Sequence, residues 1–269
     1  YIAGERENKN WVPYMSEGDY GRRGALGLAT PQANPTAETE FRALMPDGVA
    51  CATVRMVSAE PDPATRLRAY FHDIAPTLDR FDTLPLQAIG LACTGSSYLL
   101  GHEAVEAQLG ELSAKRGQPV ISAAAAIERA LTHLGATSLA LICPYPDWLL
   151  TAAERHWRAR GYDVVDQFSL NPGQGDTRDI YRVSPRAAAE KMQVRWRDIR
   201  ADAYLITGTG LATLRTIDQL SASLPGPVLS SNLCLAWESI QGAGIDLAER
   251  APTSSLPLLG GWEHAIERL

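Results

Sequence analysis

Short apolar runs alternate with longer amphipathic stretches along most of the chain. The short runs have the length of strands buried in a parallel sheet, and the longer stretches repeat apolar residues at helical spacing. Leu67, Phe71, Ile74, Leu78 and Phe81, for example, follow one another at intervals of 4, 3, 4 and 3 residues, which places them on one face of a helix. This alternation predicts an α/β fold whose parallel sheets are covered by helices on both faces.

The predicted elements form two similar series. The predicted strands are Ala25–Ala29, Val49–Met56, Leu86–Ala92, Val120–Ala123, Ser138–Cys143, Tyr162–Phe168, Ala203–Thr207 and Val228–Ser230. The predicted helices are Pro35–Leu44, the stripe from Leu67 to Phe81, Tyr98–Leu112, Ala124–Leu134, Trp148–Arg160, Ala187–Ile199, Leu211–Leu220 and Leu233–Ile240. The series begins again near Ser138, which suggests an internal duplication.

Two pairs of segments support the duplication. Leu86–Gly95 resembles Asp202–Gly210, and Gln118–Ser122 resembles Gly226–Ser230. Runs this short also recur by chance, so the similarity by itself leaves the duplication open. If it holds, two lobes face each other across a shared cleft bordered by their strand-end loops. The predicted division is an N-terminal extension at 1–21, a first lobe at 22–117 completed by about 230–269, and a second lobe at 118–229.

Composition narrows the classes of partner. The 269-residue chain has a formal net charge of −6 and no run of Lys and Arg, which argues against nucleic acid and against an acidic membrane surface. No apolar stretch approaches the roughly 20 residues of a membrane span. Tyr1–Tyr20 is polar and mixed in charge, unlike a secretory signal, although the first residue is not Met and the native start stays open. We therefore predict a cytoplasmic protein.

The cysteines and histidines give no sign of a bound metal. Cys51, Cys93, Cys143 and Cys234 are widely spaced and form no CxxC pair, which argues against a zinc site and against a disulfide framework. The histidines lack metal-ligand spacing, and no GxGxxG or phosphate-binding loop occurs, so no nucleotide cofactor is predicted. Cys51, within a predicted strand, is predicted to lie in the core. Cys234, in the last strand–helix turn, could approach the cleft, but it too is predicted to lie in the core.

The strongest candidate for chemistry is the segment Cys93–Tyr98, which follows an apolar strand and opens a helix. Ligands of open α/β sheets bind at such carboxyl ends of strands. The unpaired N–H groups of a helix start carry partial positive charge, which predicts a lowered pKa for the Cys93 thiol and a place for a substrate carboxylate. The alternative is a buried cysteine that ends a strand, with Thr94 and Ser96 as ordinary helix caps.

Two further loops carry single candidate residues. Asn34, in Thr30–Thr36, could present its amide to a carboxylate, although Asn followed by Pro is also a good helix cap. Tyr145, held between two prolines in Cys143–Pro146, could donate a hydrogen bond or relay a proton. The alternative for Tyr145 is an aromatic ring that packs on the sheet edge.

Two glycine-containing loops offer backbone groups. Thr207–Gly210, the repeat partner of the Cys93 loop, lets N–H groups approach a ligand closely, or is only a tight turn. Gly173–Asp179 is polar and could cover the cleft, or is a solvated loop. Neither loop alone decides between these interpretations.

Taken together, these segments resemble the aspartate/glutamate racemase superfamily, in particular its maleate cis–trans isomerase and arylmalonate decarboxylase branch. The resemblance covers roughly residues 24–242. It is carried by TPQANPT at Thr30–Thr36, CTGSSY at Cys93–Tyr98, Cys143–Tyr145, and the run from Ala203 to Trp237, AYLITGTGLATLRTIDQL followed by PVLSSNLCLAW. The resemblance implies two Rossmann-like lobes related by a pseudo-two-fold axis, an active site between them, and neither cofactor nor metal.

The resemblance also implies roles for individual residues. Cys93 matches the first of two cysteines that the family usually places on opposite faces of its substrate, and Gly208 stands where the second is usual. Asn34 and Tyr145 match carboxylate-binding positions. In the family, certain groups cradle a carboxylate or an enediolate, and the residues at these positions here are Thr94, Gly95 and the backbone of Thr209. Thr177 is a weaker match, in a segment that covers the family's active site.

Three functions follow from the resemblance. The first is a cofactor-independent isomerase of a small dicarboxylate, in which the Cys93 thiolate adds to a double bond and leaves after rotation. A water, Tyr145 or Cys143 would then handle the proton assigned to the second cysteine. The second is a cofactor-free decarboxylase of malonate-type acids, disfavoured because the family's decarboxylases carry their single cysteine in the other lobe. The third is a non-catalytic carboxylate-binding protein. A homo-oligomer is compatible with all three.

Overall fold

Two separate four-stranded parallel sheets form the centre of the computed structural model, which describes residues 20–170, 175–246, 258, 266 and 269. The first sheet contains β1 (Gly24–Pro31), β2 (Val49–Met56), β3 (Ala88–Leu91) and β4 (Val120–Ser122). The second contains β5 (Ser138–Cys143), β6 (Asp163–Ser169), β7 (Ala203–Ile206) and β8 (Val228–Ser230). Most of the predicted N-terminal extension, 1–21, lies outside the described residues.

The two sheets have the same internal order. Their strands follow one another as β2-β1-β3-β4 and as β6-β5-β7-β8, and every neighbouring pair is parallel. The central strands are apolar and almost completely buried, because helices cover both faces of each sheet. The predictions of an α/β fold and of two similar lobes are therefore confirmed.

The first sheet extends past residue 117, where the prediction ended the first lobe. Val120 pairs with Ile89 and Ser122 pairs with Leu91, so β4 is the last strand of the first sheet. The repeated Pro-Val segments are then equivalent, because β4 and β8 each close their own sheet. The similarity between Gln118–Ser122 and Gly226–Ser230 does not by itself locate the boundary between the lobes, because it does not show which sheet the strand β4 joins.

Ten helices connect the strands within the described residues. They are α1 (Ala37–Leu44), α2 (Pro63–His72), α3 (Ile74–Leu78), α4 (Thr94–Leu100), α5 (His102–Arg116), α6 (Ala123–His133), α7 (Asp147–Ala159), α8 (Pro185–Trp196), α9 (Leu214–Ser221) and α10 (Ser231–Gly242). Two predicted helices are interrupted. The stripe from Leu67 to Phe81 breaks at Asp73 and ends in a 3-10 turn, and the segment predicted as Tyr98–Leu112 begins at Thr94 and breaks at Gly101, whose φ of +87° is outside the helical range.

The helix α10 returns the chain from the second sheet to the first. It packs against α6, α1 and β3. Equivalent serines start the two facing helices: Ser122 Oγ accepts from the Ala125 N–H before α6, and Ser230 Oγ accepts from the Leu233 N–H before α10. The repeated serine is thus explained as a helix cap in each half. In the part of the chain that the structure describes, no helix has the length and apolar character needed to cross a membrane.

Candidate active site

The predicted site residues meet in one cavity between the two sheets. The loops that follow β1, β3, β5 and β7 enclose about 50 Å³ open to water-sized molecules, room for a few waters. All eight residues predicted from the sequence line it: Asn34, Cys93, Thr94, Gly95, Tyr145, Thr177, Gly208 and Thr209. Parallel strands present their carboxyl ends at the same edge, which is why loops distant in sequence converge here.

Cys93 occupies the turn between β3 and α4. It is the residue that precedes the helix, with φ −148° and ψ 91°, and its side chain is half-buried. Its Sγ lies 3.1 Å from Ser96 Oγ, which in turn donates a 2.7 Å hydrogen bond to the Leu67 carbonyl. The neutral thiol can donate to Ser96 Oγ, and when the thiolate forms the Ser96 hydroxyl can turn from the Leu67 carbonyl and donate to the sulfur. The sulfur is thereby held at the cavity wall.

Burial raises the pKa of the Cys93 thiol, although the hydroxyl of Ser96 and the backbone N–H groups of Ser96 and Gly95 act in the opposite direction. The predicted lowering of this pKa by the helix start is therefore wrong. The removal of water around the sulfur outweighs the dipoles of a seven-residue helix. A thiolate must form against this cost, so reactivity is expected to increase with pH.

Cys93 is the one cysteine of the four that lines the cavity. Cys143 and Cys234 are fully buried, and burial raises the pKa of Cys143 to about 12. The Cys143 sulfur accepts a 3.0 Å hydrogen bond from Thr207 Oγ1. Cys143 thus lies behind the cavity wall as a buried, neutral thiol, which argues against it as a substitute for the second family cysteine. Burial also raises the pKa of Cys51 to about 11; this residue is half-buried and packs against the core rather than lying within it as predicted.

Thr94 and Tyr145 form a pair of hydroxyls beside Cys93. Tyr145 OH and Thr94 Oγ1 are 2.5 Å apart, and Tyr145 is 5% exposed. Burial raises the pKa of Tyr145 far above its usual range, and the nearby Cys143 adds to this effect. Tyr145 therefore stays a neutral phenol that can donate a hydrogen bond. Its loop is fixed by a 2.6 Å bond from Ser169 Oγ to its carbonyl and by the two flanking prolines.

Asn34 lies two residues before Thr36, the residue that precedes α1, so the helix begins later than predicted; its side chain binds the N–H groups of the turn that leads into α1 and also reaches across to the second half. Its Oδ1 accepts from the Thr36 and Ala37 N–H groups at 2.9 and 3.0 Å. Its Nδ2 donates at 3.1 Å to Thr209 Oγ1, which donates onward to the Ala92 carbonyl at 2.7 Å. One of the two amide hydrogens is thus used by Thr209, and the other can serve a ligand in the cavity that Asn34 lines. A structural role at the start of α1 and a binding role are compatible.

Gly208 takes the position in the second half that Cys93 takes in the first, since each lies at the same offset beyond β7 and β3. Its φ is +90°, a conformation that L side chains rarely adopt. A Cβ built there would lie 2.9 Å from Ile180 Cδ1, 3.0 Å from Pro144 Cγ and 3.2 Å from Tyr145 Cε1. Its N–H donates to Ser231 Oγ at 3.1 Å and is therefore already used. The loop is shaped for glycine.

A buried carboxylate that the sequence analysis missed supports this loop. Glu40, on α1, accepts from Asn232 Nδ2 at 2.7 Å, from the Leu214 N–H at 3.0 Å, and from both the N–H and the hydroxyl of Thr213. Asn232 Nδ2 also donates to the Thr209 carbonyl at 3.1 Å. Burial raises the pKa of Glu40, and these donors oppose that shift. No local pattern marks Glu40, because its partners lie far along the chain.

A group of cationic and phenolic side chains on the cavity wall was not predicted from the sequence: Arg66, Tyr70, Arg178 and Tyr181. The available signal was Arg66 itself, a charged residue directly beside the apolar stripe of its helix. Of the predicted covering segment, Gly173 and Gln174 lie outside the described residues, while residues 175–179 border the cavity through Thr177 and Arg178. Among the described residues, no group of three or more His, Cys, Asp or Glu side chains is placed to hold a metal ion.

The family model of arylmalonate decarboxylase matches residues 71–255, more than half of the chain. The chain belongs to this family. Maleate isomerase of Geobacillus stearothermophilus is 28% identical over 237 residues, which cover 82% of this chain and 92% of that protein. The resemblance to the maleate isomerase and arylmalonate decarboxylase branch is confirmed.

Solved structures share the fold. The maleate isomerase Iso of Pseudomonas putida S16 superposes with a TM-score of 0.76 at 21% identity, covering 89% of this chain and 99% of that one. A Cys-to-Ser mutant of the maleate cis–trans isomerase of Nocardia farcinica, with a covalently bound succinylcysteine intermediate, superposes with a TM-score of 0.71 at 22% identity, covering 89% and 97%.

Proposed function

We propose that this family member is a cofactor-independent isomerase of a small dicarboxylate, resembling maleate isomerase, and that Cys93 is its nucleophile. The observation that carries the proposal is the placement of Cys93, the one cysteine on the cavity wall, beside hydroxyl and amide donors from both halves. Nucleophile and oxyanion donors within one small cavity are the parts that covalent catalysis on a carboxylate requires. The curated maleate isomerase relative supports the same reaction class.

In the first step, the Cys93 thiolate adds to one alkene carbon and forms a C–S bond. The π electron pair moves toward the carboxylate on the neighbouring carbon, which becomes an enediolate. Thr94, Tyr145 and Asn34 are the side chains assigned to stabilise that charge, since hydroxyl and amide hydrogens strengthen their bonds as negative charge develops. The succinylcysteine seen in the Nocardia farcinica enzyme is the protonated form of such an adduct and supports a covalent step.

In the second step, the former double bond rotates as a single bond, and the electron pair returns to expel Cys93. The product is the trans isomer, and atoms and charge balance without a net proton. A second cysteine is therefore dispensable for isomerisation, which suits a chain that has Gly208 at the corresponding position. Racemisation differs, because it needs a proton donor on one face and an acceptor on the other. If the adduct is protonated transiently, Tyr145 or a water is the acid assigned.

The competing function is decarboxylation of a malonate-type acid, for which one acid is sufficient and which the name of the family model supports. A panel of maleate, phenylmalonate, aspartate and glutamate, followed by NMR and chiral analysis with and without EDTA, separates the functions. We expect fumarate from maleate, unaffected by EDTA, and no product with Cys93→Ser. Cys51→Ser is the matched control and should stay active. Carbon dioxide release from phenylmalonate without maleate turnover would instead establish a decarboxylase, and ligand binding without any product would establish a binding protein.

A further inference from the structure

A buried arginine forms part of the cavity wall, next to the turn that carries Cys93. Arg66 lies on α2 and is 2% exposed. The following residue, Leu67, accepts the hydrogen bond from Ser96 and lies 3.1 Å from a Cβ built on Gly95, so α2 packs directly on the Cys93 turn. A charged side chain this deeply buried needs a partner for its charge.

That partner is Asp176, from the segment preceding the short 3-10 helix Thr177–Arg182. Arg66 Nη2 donates to Asp176 Oδ1 at 2.6 Å and approaches Thr177 Oγ1 at 3.4 Å. Arg178 also binds Asp176, through Nε at 3.2 and 3.1 Å and Nη2 at 2.6 Å. Burial alone would raise the pKa of Asp176, but the hydrogen bonds from Arg178 and the charges of Arg66 and Arg178 lower it to about 2, so it is anionic at neutral pH.

The charges that face this end of the cavity are positive. Two guanidinium groups line it and share one carboxylate, and no acidic side chain is among the lining residues that the structure describes. The charged side chains that line the cavity beside Cys93 are therefore positive, with Asp176 behind them and Asp62 on the exposed side of Arg66. A carboxylate of the substrate would add a further negative partner. Arg66 Nη1 donates to the carbonyls of Pro61 and Glu60 at 3.2 and 3.4 Å, and Nη2 is held by Asp176 and Thr177, so the Nε–H is the donor left for a charge-assisted hydrogen bond to that carboxylate.

We propose that Arg66 is a specificity-determining residue that binds the second carboxylate of the substrate, the one that does not become the enediolate. This inference rests on the proposed isomerisation of a dicarboxylate and adds to it a reason for the choice of reaction. In decarboxylation the C–C bond breaks, its electron pair remains on carbon, and the carboxylate leaves as neutral CO2. A guanidinium paired with that carboxylate stabilises the ground state and loses its partner in the transition state, so it opposes the reaction. In isomerisation the second carboxylate keeps its charge throughout and stays paired.

The test compares ligands with two and with one carboxylate, by calorimetric binding as well as by turnover. Succinate and butyrate are the binding probes, and maleate and monomethyl maleate are the substrates. The variants are Arg66→Gln and the charge-conserving Arg66→Lys. Arg68→Gln is the matched control, since Arg68 lies on the same helix, is exposed, and donates to the Leu99 carbonyl rather than lining the cavity. Circular dichroism and urea unfolding establish that each variant is folded.

We expect Arg66→Gln to weaken succinate binding about 10- to 100-fold, the range of a lost charge-assisted hydrogen-bonded pair, while butyrate changes by less than about 3-fold. Arg66→Lys should recover part of the preference, and Arg68→Gln should match wild type. Equal losses for succinate and butyrate, or no loss in a folded Arg66→Gln, would overturn the role of Arg66. Because binding is measured without turnover, an Arg66-dependent preference for succinate in a protein that does not isomerise maleate would refute the proposed function and leave this inference standing.

Discussion

Replacing Gly208 by alanine tests whether the loop opposite Cys93 excludes any side chain. At φ +90° an L residue costs about 1–2 kcal/mol of backbone strain. The added methyl group also meets Ile180, Pro144 and Tyr145 at 2.9, 3.0 and 3.2 Å, each closer than an ordinary van der Waals contact. Overpacking of this kind costs about 1–3 kcal/mol, so the free energy of unfolding should fall by roughly 2–5 kcal/mol in total.

Gly161→Ala is the matched control. Gly161 has a φ of +87°, and a Cβ there meets nothing within 4 Å, so this variant bears the backbone strain without the contacts. Urea unfolding of both variants therefore isolates the contribution of the contacts, expected at about 1–3 kcal/mol. Gly208→Ala should also lower kcat, because displacement of Tyr145 breaks its contact with Thr94. Gly161→Ala should retain wild-type kcat.

A Gly208→Ala variant that is no less stable than Gly161→Ala and keeps full activity would refute the overpacking of this loop. Such a result would mean that the loop opens easily, and a second thiol could then be installed there at little cost. With the contacts as they stand, Gly208→Cys should be at least as destabilised as Gly208→Ala and should not create an efficient racemase. Deuterium exchange at the α-carbon of aspartate, followed by chiral analysis, measures that outcome.

Three other predictions follow from the site. The Cys93 pKa is raised, so limited iodoacetamide labelling should favour Cys93 over Cys51 and should increase about tenfold per pH unit through the neutral range; a rate independent of pH would contradict the raised pKa. Asn34→Asp keeps an acceptor for the N–H groups at the start of α1 but loses the donor to Thr209 and buries a carboxylate, so urea unfolding should show a loss of about 1–3 kcal/mol. Charge repulsion should also weaken dicarboxylate binding at least about tenfold; calorimetry showing unchanged affinity in the folded variant would confine Asn34 to a structural role. Glu40→Gln places an amide opposite groups that all donate hydrogen bonds, so urea unfolding should show a loss of about 1–3 kcal/mol in the free energy of unfolding. The value of kcat should also fall, because Asn232, which Glu40 holds, binds the carbonyl of Thr209 in the cavity wall. Full stability and activity would show that Glu40 does not organise the loop.

The local pattern of apolar residues determined most of the secondary structure. The strands at Val49–Met56, Ser138–Cys143 and Val228–Ser230 have the bounds that the sequence predicts. These predictions succeed because burial in a parallel sheet imposes a short, continuous apolar run that is visible in the chain itself. The position of Cys93 at a strand end is likewise local information, and it was sufficient to select the candidate nucleophile.

Tertiary structure decided everything that depends on pairs of residues distant in sequence. Arg66 and Asp176 are 110 residues apart, and Glu40 and Asn232 are 192 apart. No periodicity or motif records such a pairing, because it arises only where strand-end loops converge. The raised pKa of Cys93 belongs to the same class, since a helix start can be read from the sequence whereas the water removed by neighbouring elements cannot. The residues along the chain therefore determine which reactive groups lie at a strand end or a helix start. The tertiary structure determines how deeply each of these groups is buried and which charges lie beside it.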